Sequence, residues 1–286
     1  MNRNLKSLYS RGYGLSLSDG NNWWVTGDED NIRWIDDLTA ILELKECAPD
    51  DLPKLIFSKM DDTGWEFYDH RIVRIWYRDS TPDIVYEVKD WEEENLKYIN
   101  MRYSLHPIYQ RSISKGGLAF HAALAELDGR GVLLSAPGDT GKSTCCRRLP
   151  DYWKPLCDDE SLVVLNEQKM YRAHPFPTWT DYLWKRAANT WDVQYSVRLA
   201  GVFFLEQSET DEVVPIGNGE AAILMAESAT QACGKFWRGL DEADQRTRRE
   251  EAFSNACAMA KAIPAFRLRV SLHGRFWEEI EKALEL

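Results

Sequence analysis

The spacing of apolar and polar positions changes several times along the chain, and each change marks an element. Tyr13, Leu15 and Leu17 alternate with small polar residues up to the turn signal Asp19-Gly20, which predicts a strand; Trp23 to Thr26 predicts its return. From Ile32 the period lengthens. Ile32, Ile35, Leu38 and Leu42 recur at helical spacing, with Asp30 or Asn31 placed to cap the helix. Further strands are expected at 54–58, 65–68, 72–77 and 84–88, separated by Asp-rich turns. The acidic run Glu92 to Glu94 reads as a solvated helix face. These elements make a small N-terminal α/β domain over residues 1–105, with no catalytic constellation in it.

Residues 106–286 form the second expected domain. A helix starts at His106-Pro107, runs through Tyr109 and Ile113 and ends at Gly116-Gly117. His121 opens a mostly apolar stretch that turns at Asp128-Gly129. Then come the apolar run Val132, Leu133 and Leu134, a glycine-bearing turn, and a helix from Lys142 that stops at Pro150. A strand at 162–165 and its partner at 170–172 are joined by a turn at Asn166-Glu167. His174 to Trp179, with two prolines, reads as a rigid loop, and Thr178 or Thr180 is placed to cap the helix after it. Strands at 202–205, 212–216 and 266–272 and helices at 220–232, 244–262 and from Phe276 complete the chain; the helix at 244–262 reads as amphipathic.

Composition narrows the class. The chain has 286 residues, 44% of them hydrophobic, which is ample for one large core or two smaller ones. The net charge of −11 speaks against a nucleic-acid binder, whose affinity depends on a basic surface. No apolar run is long enough for a membrane span, and the N-terminal stretch lacks the apolar core of a signal peptide. The six cysteines show no metal-binding spacing, and Cys145-Cys146 is poorly placed for a disulfide; a reducing cytoplasm is the expectation.

The chemistry concentrates in the stretch 131–149, GVLLSAPGDTGKSTCCRRL. A strand, a glycine-bearing turn and a helix with Gly-Lys-Ser at the junction is the pattern of a phosphate-binding loop. Backbone N–H groups of Gly138, Asp139, Thr140 and Gly141 would face the phosphates, Lys142 would reach the terminal ones, and Ser143, helped by Thr144, would hold magnesium. Ala136 stands where the usual loop has its first glycine, so Gly138 supplies the flexibility. Asp139 is repelled by phosphates unless it turns away.

From His121 to Thr144 the string is H-x-x-L-x-x-L-x-G-x-G-V-L-L-x-x-x-x-x-T-G-K-S-T, followed by Leu-Cys-Asp-Asp at 156–159. This order of motifs, over roughly residues 105–272, resembles the HPr kinase/phosphorylase family. The segments LSLSDG, PKLIF, APGDTGKST and PAFRLRVSLHGRFWEEIE are similar to the HPr-kinase-like proteins of the SynChlorMet peptide cassette. The chain is also similar to the kinases of lasso-peptide precursors. The resemblance implies an α/β fold: a phosphate-loop core related to phosphoenolpyruvate carboxykinase, carrying a smaller N-terminal α/β domain. It implies Asp158 as the base that takes the hydroxyl proton. Asp159 would hold magnesium, directly or through water, and position His121. His121 either stabilises the transferring phosphoryl group or orients an aspartate. His174 either borders the substrate cleft or packs. Arg172, Lys235 and Arg238 are candidate partners for phosphate charge.

The function so implied is ATP- and magnesium-dependent phosphorylation of a serine or threonine hydroxyl on a peptide or protein. The cassette resemblance adds radical-SAM enzymes as partners, and a homo-oligomer is compatible with it. No glycine-rich segment like the one linked to dephosphorylation is present, so kinase activity without phosphorylase activity is expected. Two alternatives are an accessory protein that binds ATP as a switch while presenting a peptide, with the N-terminal domain as its docking module, and a small-molecule hydroxyl kinase.

Overall fold

The computed structural model of the chain describes residues 11–48, 51–60, 64–70, 73–88, 93–138 and 140–286. Asp139, Ile72, Glu92 and the first ten residues lie outside the described residues. The chain divides into two compact units: Met1–Ile108 with Trp179–Gln194, and Tyr109–Thr178 with Tyr195–Leu286. The sequence predicts a second domain unbroken from 106 onward, whereas the segment Trp179–Gln194 groups with the first unit. Long-range contacts hold it there: Trp191 N–H donates to the Ile41 carbonyl at 2.8 Å, and the Tyr182 ring lies 4.9 Å from Tyr98.

The first unit is built on a mixed seven-stranded sheet. Its strands are β1 (Gly12–Ser16), β2 (Asn22–Gly27), β3 (Lys45–Cys47), β4 (Lys54–Phe57), β5 (Glu66–His70), β6 (Val73–Arg78) and β7 (Thr81–Val88), in the order β3-β1-β2-β4-β7-β6-β5. β1 and β2 form the expected hairpin, with Gly20 in the left-handed region at φ +71°. Helix α1 (Ile32–Ile41) buries Trp34, Ile35, Leu38 and Ile41, and the Trp34 ring sits 4.4 Å from Phe57. Its entry is capped earlier than the sequence predicts. Asp28 accepts from the Asn31 N–H at the head of a single 3-10 turn, and α1 continues from that turn. Helix α2 (Glu94–Ser104) follows, and α3 (His106–Ile113) carries the chain out of the first unit, which ends at Ile108, into the second, which starts at Tyr109.

The second unit is also built on a mixed sheet, of nine strands. They are β8 (Leu118–Phe120), β9 (Ala122–Leu127), β10 (Arg130–Ser135), β11 (Lys154–Cys157), β12 (Glu160–Leu165), β13 (Tyr171–Phe176), β14 (Val197–Gln207), β15 (Glu212–Pro215) and β16 (Ala265–Val270). The order runs β11-β9-β10-β14-β13-β12-β8; β16 pairs with the far half of β14, and β15 with β16. The helices are α4 (Lys142–Arg148), α5 (Trp179–Leu183, which belongs to the first unit), α6 (Asn218–Trp237), α7 (Glu242–Ala262) and α8 (Phe276–Leu284).

β10 shows why its sequence is an unbroken apolar run. It lies parallel to β14 on one side and antiparallel to β9 on the other, and Val132, Leu133 and Leu134 are all buried. Val132 and Leu134 enter a cluster with Cys145, Cys146, Phe203, Phe266, Phe276 and Ile280. Ser135, the next residue on the Leu133 side, meets Ser228 of α6 instead.

Two expectations need correction. His174 to Phe176 is not a loop but the end of β13, paired with β12 so that Pro175 stands opposite Ser161. β14 pairs with β13 only at Arg172 and Ala173, so Pro175 has no ladder on that second side to interrupt. α7 carries its buried positions, Ala252, Ala256, Met259 and Ala260, in its C-terminal half, so the apolar stripe does not run its whole length.

Candidate functional site

The stretch 131–149 runs strand, turn and helix, in the order read from the sequence. β10 delivers the chain to Ala136, Pro137 and Gly138, and α4 begins at Lys142. Gly141 has φ +115°, a conformation that L side chains rarely adopt, so glycine is required at the helix entry. A Cβ added at Gly138 or Gly141 would meet nothing within 4 Å, so the space beside the turn is open. Ser143 and Thr144 are half-buried in the first turn of α4, and the Thr144 hydroxyl accepts from Arg147 at 3.4 Å. Thr140 offers its carbonyl to Gln207 at the end of β14, 3.4 Å away.

Lys142 does not point into solvent; it is only 7% exposed. Its ammonium donates to the carbonyls of Ala136 at 3.0 Å and Pro137 at 3.4 Å, and lies 3.1 Å from Nε2 of His121. His121 occupies the break between β8 and β9 rather than the start of a strand. Its N–H donates to the Ser228 hydroxyl at 3.0 Å, and its Nδ1 lies 2.7 Å from Oε1 of Gln231. An amide oxygen only accepts, so Nδ1 carries a proton and Nε2 faces the rest of the site. There Oδ1 of Asp159 approaches Nε2 to 2.9 Å.

Asp158 and Asp159 form the bend between β11 and β12. The bend is pinned beneath: the Cys157 thiol donates to the Glu160 carbonyl at 3.0 Å, and the Ser161 hydroxyl to the Ala122 carbonyl at 3.1 Å. Asp158 accepts a hydrogen bond from the hydroxyl of Thr178. Burial raises the thiols of Cys145 and Cys157 to about 11, so both stay protonated and un-nucleophilic at neutral pH.

The structure therefore brings Lys142, His121 and Asp159 into direct contact, with Asp158 one residue away. His174 is fully buried on β13, opposite Leu162 of β12. Arg172 is held by the hydroxyl and carbonyl of Ser196, and exposed Arg238 donates to the Gly234 carbonyl of its own helix. Lys235 lies one turn beyond Gln231 on the same face of α6. Sequence reasoning missed Ser228 and Gln231, and took Thr178 only as a cap. The three-residue spacing of Ser228 and Gln231 shows that they share a helix face, but their nearness to His121, 107 and 110 residues away in sequence, is a tertiary fact. Among the described residues no group of three or more His, Cys, Asp or Glu side chains forms a metal cage. None of the described helices is long and apolar enough to cross a membrane.

The sequence model of the SynChlorMet cassette protein ScmC matches residues 84–285 of the chain. The chain belongs to the ScmC family. The match takes in every element of the second unit and, with it, His121, the glycine-bearing turn and both aspartates; residues 1–83 lie outside it. No curated protein matches the chain.

Proposed function

We propose that this ScmC-family chain is an ATP-dependent kinase of the HPr-kinase type, acting on a serine or threonine hydroxyl of a peptide or protein in the cytoplasm. The observation that carries this reading is the contact of Lys142 with His121 and of His121 with Asp159, beside an open glycine-bearing turn. In this reading Gly138, Thr140, Gly141, Lys142, Ser143 and Thr144 bind the phosphates, and the phosphates replace the carbonyls of Ala136 and Pro137 as acceptors for Lys142. The donors on hand near the turn, the Ser143 hydroxyl and the Asp159 carboxylate, are hard oxygens of the kind that suit magnesium. Magnesium, when bound with ATP, would neutralise charge on the β- and γ-phosphates.

Asp158 acts as the base. The substrate hydroxyl oxygen bonds to the γ-phosphorus, its proton passes to the Asp158 carboxylate, and the bond from the γ-phosphorus to the bridging oxygen breaks to release ADP. Protonated His121 would donate to Asp159 and keep positive charge near the transferring group. The family's cassette name makes a peptide encoded nearby the preferred acceptor, with radical-SAM cassette enzymes as partners and the first unit as the docking module.

One observation favours the rival reading of an ATP-binding accessory protein: Asp158 already spends one carboxylate oxygen on Thr178. Incubating the whole chain with γ-labelled ATP, magnesium and the neighbouring peptide separates the two. Label on a peptide hydroxyl is expected. ATP binding without label on any peptide or small hydroxyl compound would replace the kinase with the accessory switch.

A further inference from the structure

The end of the second sheet opposite the glycine-bearing turn carries arginines in a row. Arg130 on β10 stands in register with Arg198 on β14, and Arg198 with Arg172 on β13. Neighbouring strands are about 4.8 Å apart. Like charges directly opposite one another destabilise a sheet, so this row costs the fold something. Arg172 is partly relieved by Ser196. Arg130 donates to the Glu285 backbone carbonyl at 3.4 Å, but although the chain carries a net charge of −11, among the described residues no carboxylate pairs with Arg130, Arg198 or nearby Lys169.

Arg130, Arg198 and Lys169 line one cleft of about 410 Å³, within the size range of small-molecule sites. Lys169 reaches it from the turn between β12 and β13 and holds φ +59°, which is uncommon for a lysine. Met170, Ile263 and Pro264 supply an apolar wall. Cations around an apolar-walled cavity suit an organic anion, and guanidinium forks match oxyanions in two-point contacts. β10 spans six residues from Arg130 to Ser135, five steps or about 17 Å, so the cleft is separate from the phosphate loop.

We propose that this cleft binds a small organic anion through phosphate or carboxylate groups held by Arg130, Arg198 and Lys169. The inference stands apart from the kinase reading and survives its failure.

The test is thermal unfolding and titration calorimetry of the whole chain with inorganic phosphate and with citrate, against sodium chloride at equal ionic strength. Lys142→Ala is used as the background, so that binding at the phosphate loop does not contribute. A raised melting temperature and saturable binding near one equivalent are expected. Phosphate alone points to a phosphorylated ligand, citrate alone to a polycarboxylate, and both to the shared oxyanion chemistry. Arg198→Gln and Arg130→Gln should each weaken binding about 10- to 100-fold, as loss of a charged hydrogen-bonding partner does. Arg198→Lys, which keeps the charge and loses the fork, serves if the glutamine variants fold poorly. The proposal is overturned if neither anion exceeds chloride, or if Arg130→Gln and Arg198→Lys bind as the background does.

Discussion

Asp159 and His121 are 38 residues apart in sequence, yet Oδ1 of Asp159 lies 2.9 Å from Nε2 of His121. Lys142 approaches the same nitrogen to 3.1 Å. With Nδ1 donating to Gln231, Nε2 serves one neighbour at a time. Bare, it accepts from Lys142; protonated, it donates to Asp159. Replacement by His121→Asn removes this proposed relay while leaving the proposed phosphate loop in place. Phosphotransfer should fall about 10²-fold or more, with ATP affinity within a few-fold of the unaltered chain. Turnover and calorimetric affinity check it together; equal turnover would take His121 out of the mechanism.

Asp158→Asn keeps the size and one acceptor oxygen but cannot take a proton. A positioned base is worth about 10²- to 10⁴-fold in rate. Magnesium-ATP binding should persist while transfer is mostly lost. Asp159→Asn should weaken the magnesium dependence as well, because that carboxylate is the proposed metal ligand. A full rate in Asp158→Asn would place the base elsewhere.

Lys142→Met preserves the apolar stem and removes the charge. ATP affinity should drop about 10- to 100-fold, the scale of a charged hydrogen bond. Lys142→Arg should not restore it, since the ammonium occupies a buried position among two carbonyls and an imidazole that a planar fork does not match. Unchanged nucleotide affinity in Lys142→Met would remove the phosphate-loop assignment.

Ser228 is 2% exposed and accepts from both the His121 N–H and the Ser135 hydroxyl. Ser228→Ala leaves both donors without that acceptor, at a cost of about 1–3 kcal/mol. The urea midpoint followed by tryptophan fluorescence should fall while the slope is kept. A midpoint identical to that of the unaltered chain would show that neither bond contributes to stability.

Burial raises the Cys157 thiol to about 11 from its ordinary 9.0. Above pH 9 the unfolded chain gives up this proton and the folded one keeps it. The contribution to stability is therefore complete below about pH 9 and declines as pH rises toward 11. At pH 8 only about one molecule in a thousand carries the thiolate, so iodoacetamide should label Cys157 slowly before unfolding and quickly after it. Rapid labelling in the folded chain would contradict the burial argument.

Several features of the molecule are local, and the sequence alone determines them. The strand–turn–helix around Lys142 follows from an apolar run, a glycine that tolerates φ +115° at Gly141, and a helix-forming stretch behind it. The β1–β2 hairpin follows from alternation and Asp19-Gly20. What such patterns cannot carry is which distant segments touch. His174 and its prolines read locally as a loop, but strand pairing with β12 decided otherwise, since one open side of β13 lets Pro175 lack an N–H without loss. Trp179–Gln194 joined the first unit through hydrogen bonds and ring contacts spanning many residues. Gln231 and Ser228 entered the site because sheet and helix packing laid one face of α6 against the break between β8 and β9. A helix's period fixes which residues share a face; only burial against the rest of the chain decides what that face meets.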